Sequence, residues 1–146
     1  MRALLDTNLL IGILLSSNPS ASAIGAIILA ALDGRFTLLL TAGVTDEFDR
    51  KPRERPDLAA KISRGQADAL LATLATVAEA IPALPGPYPE IGGDRKDDFL
   101  FAHAKAGGAD YLVTWDKGLR NLRRVGGVAI VSPAEFLRIL RDAGLL

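Results

Sequence analysis

The sequence predicts an α/β fold, a three-layer α/β/α sandwich in which helices cover both faces of a central parallel sheet of four or five strands. Two observations lead to this prediction. Short apolar runs alternate along the chain with longer segments whose apolar residues recur at helical spacing, which is typical of parallel sheets. The chain of 146 residues is also long enough to bury a core without disulfides or a structural metal. We therefore expect one domain, residues 1–146.

The predicted strands are short apolar runs bounded by turn signals. They are Ala3–Leu5, Phe36–Leu40, Tyr111–Thr114 and Val128–Val131. The optional fifth strand is Ile81–Leu84, where Pro82 suits only an edge strand or the start of a strand.

The predicted helices follow capping residues and stop at glycine or proline. Ser20 or Ser22 caps the second helix, and Thr41 caps the third. We expect a basic segment broken by two prolines at Lys51–Pro56 and a proline- and glycine-rich loop at Pro85–Gly93. The helices are expected at residues 8–15, from the serine cap to 32, from Thr41 through the acids at 46, 47 and 49, and at 57–63, 65–80, 97–106, 117–122 and 133–141.

Composition restricts the chemistry that a site in this chain can use. The absence of cysteine excludes disulfides, thiolate nucleophiles and thiolate zinc sites. The single histidine, His103, excludes a zinc site built from several histidines, and we expect its side chain to be satisfied or exposed rather than a general base. Any metal would be held by oxygen, which favours Mg²⁺ or Mn²⁺. The 17 basic and 17 acidic residues cancel, so net charge indicates no nucleic-acid partner.

The start of the chain is apolar enough to suggest a signal peptide, but Asp6 interrupts it and no small-residue cleavage site follows. The longest apolar run, Ala23–Leu32, is far shorter than the roughly 20 residues of a membrane helix. We therefore expect a cytoplasmic protein with no membrane segment.

Acidic residues lie just beyond the predicted strands. Asp6 follows the first strand, Glu47 lies in the helix after the second, and Asp116 lies two residues beyond the strand that ends at Thr114. Asp97 and Asp98 begin the helix after the proline-rich loop. The carboxyl ends of parallel strands share one edge, so all these acids can reach the same rim. Clustered carboxylates repel one another unless a cation neutralises them, and the chemistry to expect of such a metal site is phosphodiester hydrolysis.

Each acid also has an ordinary structural explanation. Asp6 can cap the first helix, the helix dipole stabilises Asp97 and Asp98 at a helix start, Glu47 can belong to a solvated helix face, and Asp116 can belong to a turn. The residues alone leave these explanations open. Their combined placement beyond the strands favours a metal site.

Four segments, LLDTNLL, TAGVTDEF, DRKDDFLFAHA and YLVTWDKGL, resemble the acidic motifs of PIN-domain nucleases, especially the VapC-like ribonuclease toxins of toxin–antitoxin pairs. The resemblance extends over nearly the whole chain. It places the four catalytic and metal-binding acids at Asp6, Glu47, Asp98 and Asp116. Counting back from Thr114 favours Asp98 over Asp97 as the third acid. Asn8 and Thr114 match supporting polar positions, and Asp94 and Asp97 are accessory acids or only helix-start residues.

The resemblance implies a hydrolase that cleaves RNA through a water activated by one or two Mg²⁺ or Mn²⁺ ions. It implies a cognate antitoxin and a homodimer as partners, and a sheet in which the first and fourth strands are neighbours, so that Asp6 and Asp116 lie side by side. Basic residues near the acidic motifs are the candidates for RNA phosphate contacts: Lys51, Arg53, Arg55, Arg95, Lys96, Lys117 and Arg120.

Two residues depart from the family pattern. Ala42 replaces a proline that is common after the cap of the second motif, and Trp115 is bulkier than expected between Thr114 and Asp116. Trp115 can stack on a nucleobase or pack beside the site. Two other functions remain open: a non-catalytic RNA- or protein-binding module on this scaffold, and a magnesium-dependent phosphatase. The phosphatase requires a second aspartate at the position of Asn8.

Overall fold

A computed structural model describes residues 1–91 and 94–146. Within these residues six strands form one sheet in the order β3-β2-β1-β4-β6-β5. The strands are β1 (Arg2–Leu5), β2 (Thr37–Thr41), β3 (Glu79–Ile81), β4 (Tyr111–Val113), β5 (Arg124–Val125) and β6 (Val128–Val131). The helices are α1 (Thr7–Leu15), α2 (Ala23–Leu32), α3 (Ala42–Glu54), α4 (Pro56–Ala59), α5 (Arg64–Ala75), α6 (Arg95–Ala106), α7 (Lys117–Asn121) and α8 (Pro133–Asp142).

The sheet confirms the predicted α/β class. The first five strands from the β3 edge, through β2, β1 and β4 to β6, pair in parallel, and β1 and β4 are neighbours as the family resemblance implies. Successive strands run outward from β1 to β3 on one side, and β4 then returns to the other side of β1. The chain order therefore reverses between β1 and β4, and a crevice opens at the carboxyl ends of strands at such a point.

The sheet has one strand more than the sequence predicts. Strand β5 is two residues long and pairs antiparallel with β6, so it is too short to show a periodic pattern. The turn between them contains Gly126 and Gly127, both with positive φ (56° and 86°). Such angles are accessible to glycine at little cost and suit a tight hairpin.

The predicted boundary between the long helix and the third strand is wrong. Helix α5 begins after a capping box of Ser63 and Gln66 but ends at Ala75 rather than at residue 80. Strand β3 occupies Glu79–Ile81 instead of Ile81–Leu84. Pro82 has no N–H to donate to a neighbouring strand, so β3 ends before it. The apolar residues after α5 continue the helical spacing, so the pattern does not show where the helix ends.

The basic segment Lys51–Pro56 is not broken at its first proline. Helix α3 continues through the buried Pro52 to Glu54 and ends before Pro56, because a residue preceding proline disfavours helical geometry. Thr41 caps α3 by accepting the N–H of Val44 (3.1 Å), as predicted, and Ser22 caps α2.

The predicted loop Pro85–Gly93 lies outside regular secondary structure as far as Ile91, and residues 92 and 93 lie outside the described residues. Helix α6 starts at Arg95, two residues earlier than expected, with Asp94 as its cap. No helix in the described ranges is both long enough and apolar enough to cross a membrane.

Candidate active site

An open cleft of about 540 Å³ lies at the carboxyl ends of the strands, beside the point where the strand order reverses. It is lined by residues from the starts of α1, α6 and α7, from α3 as far as Lys51, and from the loop before α6. Its acidic residues are Asp6, Glu47, Asp94, Asp97 and Asp116, and its basic residues are Arg50, Lys51, Arg95 and Lys96.

Thr114 joins the ends of β1 and β4 at the bottom of the site. Its buried hydroxyl donates to Asp6 Oδ2 (2.8 Å) and accepts the backbone N–H of Asp116 (3.0 Å). Asp6 is the N-cap residue of α1, but its side chain makes no capping hydrogen bond to that fully described helix. The hydroxyl of Thr114 therefore orients the carboxylate, and a backbone interaction with Asn8 in α1 also acts on it. Asp116 does cap α7, since its Oδ1 accepts from Leu119 N (3.1 Å).

Glu47 is held by one hydrogen bond from α1 and one ion pair within α3. Thr7 Oγ1 donates to Oε2 (3.0 Å), and Lys51 Nζ lies 2.8 Å from Oε1. Lys51 also donates to Asn8 Oδ1 (2.9 Å). Burial raises the pKa of Glu47, but the hydrogen bond and charge of Lys51, together with the hydrogen bond from Thr7 and the charge of Lys96, outweigh it and hold that pKa below its usual value. This side of the cleft is therefore electrostatically compensated.

Asp97 and Asp98, the two candidates for the third acid, have different surroundings. Asp97 lines the cleft, whereas Asp98 does not. The Asp98 side chain is only 6% exposed and accepts the backbone N–H of Ile91 (2.8 Å). Successive helix residues differ by about 100° in direction, so adjacent positions face different surroundings. Counting along the chain from Thr114 did not fix this rotation. Asp94 lines the cleft too, but one of its oxygens caps α6 at Lys96 N (2.9 Å).

The carboxylate of Asp97 lies in repulsive surroundings. Partial burial raises its pKa, and repulsion from four nearby acids, Asp94, Asp116, Asp6 and Asp98, raises it further. Burial also raises the pKa of Asp6, against the hydrogen bond from Thr114, and Glu47 adds repulsion. Unlike Glu47, these two carboxylates have raised pKa values, so a cation placed between them would lower the free energy of the ionised site.

The donor set fits a hard divalent cation. The cleft offers the carboxylate oxygens of Asp6, Asp97 and Asp116 and the amide oxygen of Asn8, and Mg²⁺ and Mn²⁺ prefer oxygen ligands. Across residues 1–91 and 94–146, however, no three acidic or histidine side chains already lie close enough together to hold an ion. Mg²⁺ typically takes only one or two protein carboxylates and keeps several waters. One or two of these carboxylates, together with bound water, would therefore be enough to hold such an ion.

The cleft contains only some of the basic residues that were predicted to contact RNA phosphates. Lys51, Arg95 and Lys96 line it. Arg53 is paired with Asp49 (2.6 Å) and lies in a different depression, and Arg55 is paired with Asp57 (2.8 Å). Lys117 and Arg120 lie on α7 outside the lining of the cleft.

Several residues of the cleft were missed at the level of sequence. Thr7 and Arg50 are two of them, and the sequence could have indicated both: Thr7 is next to the first acid, and Arg50 lies one helical turn after Glu47. Tyr88 and Phe99 form an edge-to-face aromatic pair (centroids 5.5 Å apart) along the α6 side. Phe99 packs against Gly43 of α3, where a larger residue would collide with its ring. No local pattern connects these two aromatic residues.

His103 is fully buried and satisfied, which agrees with the prediction. Its Nε2 accepts the N–H of Leu84 (3.0 Å), so Nδ1 carries the proton and donates to Phe99 O (2.9 Å). Tyr88 donates to Leu84 O (2.7 Å). His103 and Asp98 therefore fasten the loop before α6 to the helix at two points, His103 at Leu84 and Asp98 at Ile91.

Comparison with known proteins agrees with this architecture. Residues 2–118 match the model of a PIN domain family. No curated protein matched the sequence. The fold is similar to that of two solved structures, both with a TM-score of 0.60: VapBC2 from Rickettsia felis bound to a DNA fragment from its promoter, and PAE2754 from Pyrobaculum aerophilum. The first is 16% identical and the match covers 90% of this chain and 98% of the other; the second is 14% identical, with 97% and 90% covered.

These identities are low enough that the two structures support the fold alone. The family match extends from the first strand to the start of α7 and includes all five acids of the cleft. PIN domains generally use divalent metal ions. The chain belongs to the PIN domain family.

Proposed function

We propose that this protein is a divalent-metal-dependent endoribonuclease and the toxin of a toxin–antitoxin pair, acting on RNA in the cytoplasm. The observation that carries the proposal is the convergence of Asp6, Glu47, Asp97 and Asp116 on one cleft where the strand order reverses. In this proposal Asp97 has the role of third acid, which the family resemblance assigned to Asp98. The repulsion that raises the pKa of Asp97 is the electrostatic reason for a cation here.

The residues of the site have different proposed roles. Asp6, Asp97 and Asp116 present carboxylates to the cation. Thr114 orients Asp6 and the backbone of Asp116, and Thr7 orients Glu47. When bound, Mg²⁺ or Mn²⁺ supplies Lewis-acid charge and a more acidic water for attack on the phosphodiester.

Basic side chains at the rim bind the RNA backbone. Arg50, Arg95 and Lys96 are exposed and line the cleft, so they can contact phosphates without first breaking a buried ion pair. Such contacts position the strand but do not read its sequence. Lys51 is instead engaged with Glu47 and Asn8, and its first role is to hold the acidic cluster together.

The partner proposals rest on the family. A solved structure of similar fold is a VapBC complex from Rickettsia felis, and this supports an antitoxin partner for the present chain. A homodimer is proposed on the same ground. Expression of the chain alone should slow bacterial growth, and co-expression of the protein encoded beside it should restore growth.

Cleavage of an unstructured, end-labelled RNA tests the nuclease proposal. We expect cleavage with Mg²⁺ or Mn²⁺, none with EDTA, and loss of roughly 100-fold or more in rate for Asp6→Asn, because several kcal/mol of transition-state stabilisation depend on the cation. Asp68→Asn, an exposed aspartate on α5, is the matched control and should cleave like the wild type.

Two results would contradict the proposal. Undiminished cleavage in EDTA, or by folded Asp6→Asn, would remove the metal site from the mechanism. A folded wild-type protein that binds RNA but cleaves none with either metal would favour the non-catalytic binding module.

A further inference from the structure

Trp115 is a large apolar side chain that the proposed chemistry does not use. It is the single tryptophan of the chain and is 50% exposed. Among the described residues, none of the close aromatic ring pairs includes it. A half-exposed indole held beside a nuclease site calls for a physical explanation, since its exposure costs the hydrophobic free energy of burial.

The indole ring is seated on α1 at Gly12. A Cβ at that position would lie 2.5 Å from Trp115 Cη2 and 2.7 Å from Cζ3, so only glycine lets the ring reach the helix surface. The ring therefore lies one helical turn beyond Asn8, which lines the cleft. The far end of the indole is fixed against the helix, while half of the side chain stays accessible.

The backbone of Trp115 is tied to the acidic site on both sides. The preceding residue, Thr114, orients Asp6, and the following residue, Asp116, belongs to the cleft. Arg120 reaches back to the Trp115 carbonyl oxygen (3.4 Å). Trp115 does not itself line the cleft, but its neighbours in the chain place it at the edge. A nucleotide next to a phosphate bound in the cleft would meet the indole there, with the cations Lys117 and Arg120 nearby on α7.

We propose that Trp115 is the stacking platform for a nucleobase next to the scissile phosphate, and that Gly12 sets its position. This inference rests on the proposed function, because it needs RNA in the cleft. The indole binds an unpaired base by its π-face with little regard to the base's identity. It makes the site select single-stranded RNA over a duplex, whose bases are already stacked.

The single tryptophan provides a direct readout that does not need catalysis. In EDTA, a short single-stranded RNA should quench the fluorescence of Trp115, and an abasic oligomer with the same number of phosphates should bind more weakly by roughly 5- to 150-fold, the equivalent of one stacked base. Trp115→Phe should keep most of this preference for bases. Trp115→Ala, followed by binding of fluorophore-labelled oligomers, should lose it while binding the abasic oligomer like the wild type.

Gly12→Ala displaces the ring without removing it. It should weaken binding of the RNA but not of the abasic oligomer, and circular dichroism should show an intact fold. Equal affinity of the wild type for the two oligomers, or an undiminished preference in Trp115→Ala, would overturn the inference and leave Trp115 as a packing residue. Metal-dependent RNA cleavage by the same wild-type preparation would show that the proposed function survives that result; absence of both cleavage and binding would overturn the two together.

Discussion

Two adjacent aspartates at the start of α6 lie in opposite environments. Asp97 faces the cleft; partial burial raises its pKa, and repulsion from four nearby acids, Asp98 among them, raises it further. Asp98 faces away from the cleft, is buried, and accepts the N–H of Ile91. The first carboxylate is left in repulsion that a cation can relieve, whereas the second is satisfied by the fold itself. One step along a helix therefore separates a residue suited to chemistry from a residue suited to structure.

The same contrast holds across the cleft. On the α3 side, Lys51 compensates Glu47. On the α6 side, the effects on Asp97 add in one direction, towards a raised pKa. The unbalanced charge thus lies between α6 and the ends of β1 and β4, which is where we place the cation. Single substitutions can remove one side of this contrast at a time.

The largest effect is expected on catalysis. Asp97→Asn should reduce metal-dependent RNA cleavage by about 1,000-fold or more, since several kcal/mol of stabilisation depend on the cation. Asp98→Asn should cleave within a few-fold of the wild type, because the asparagine Oδ1 can still accept from Ile91. The measurement is the single-turnover rate at saturating Mn²⁺. The reverse order of the two variants would restore Asp98 as the third acid.

The next largest effect is expected on the free energy of unfolding, where Asp98 should matter more than Asp97. Asp98→Ala leaves the N–H of Ile91 without its acceptor, which should cost about 1–3 kcal/mol of unfolding free energy. The matched variant Asp97→Ala removes a repelled carboxylate and should cost nothing in metal-free buffer. Urea denaturation followed by circular dichroism compares them. Equal losses in the two variants would show that Asp98 does not fasten the loop.

The sequence predicted the parallel sheet because apolar runs and helical spacing reflect burial directly. It also put Asp6, Glu47 and Asp116 at one edge, because each follows a strand whose end fixes its place. The sequence did not show which of Asp97 and Asp98 faces the cleft, because their helix follows an irregular loop, and the rotation of that helix depends on Asp94 as its cap and on the contact of Asp98 with the loop. These are tertiary facts that spacing along the chain does not encode.

A smaller effect on stability is expected on the α3 side of the cleft, where Lys51 compensates Glu47. Lys51→Met should cost about 1 kcal/mol at neutral pH, as expected for a half-shielded ion pair. The folded pKa of Glu47 is lowered from its ordinary value of 4.5, so the stability that Lys51 contributes is present above that value and is lost as pH falls through the lower, folded pKa. Thermal melts at neutral and strongly acidic pH measure the difference between variant and wild type. A pH-independent difference would mean that Lys51 stabilises only by packing.

The smallest effect is expected for Asp97→Asn in metal-free protein, and its sign is opposite. The folded pKa of Asp97 is raised above its ordinary value of 3.8, so the ionised carboxylate destabilises the fold at neutral pH. This cost is relieved as pH falls through the raised pKa and vanishes below the unfolded value. Asp97→Asn should therefore raise Tm slightly at neutral pH in EDTA. The increase should be smaller at high salt, because salt screens the repulsion, and absent at strongly acidic pH. Asp68→Asn is the control and should leave Tm unchanged.

Addition of Mn²⁺ should reverse that order. A ligand that binds only the folded state stabilises it in proportion to its occupancy, so the wild type should gain Tm with increasing Mn²⁺ while Asp97→Asn gains little. If the Tm of the wild type is below that of the variant without metal and above it at high Mn²⁺, the carboxylate that is repelled in the free protein is the one that binds the cation. A variant that gains as much as the wild type would contradict this, because the cation would then be held without Asp97 and the raised pKa would have no part in binding it.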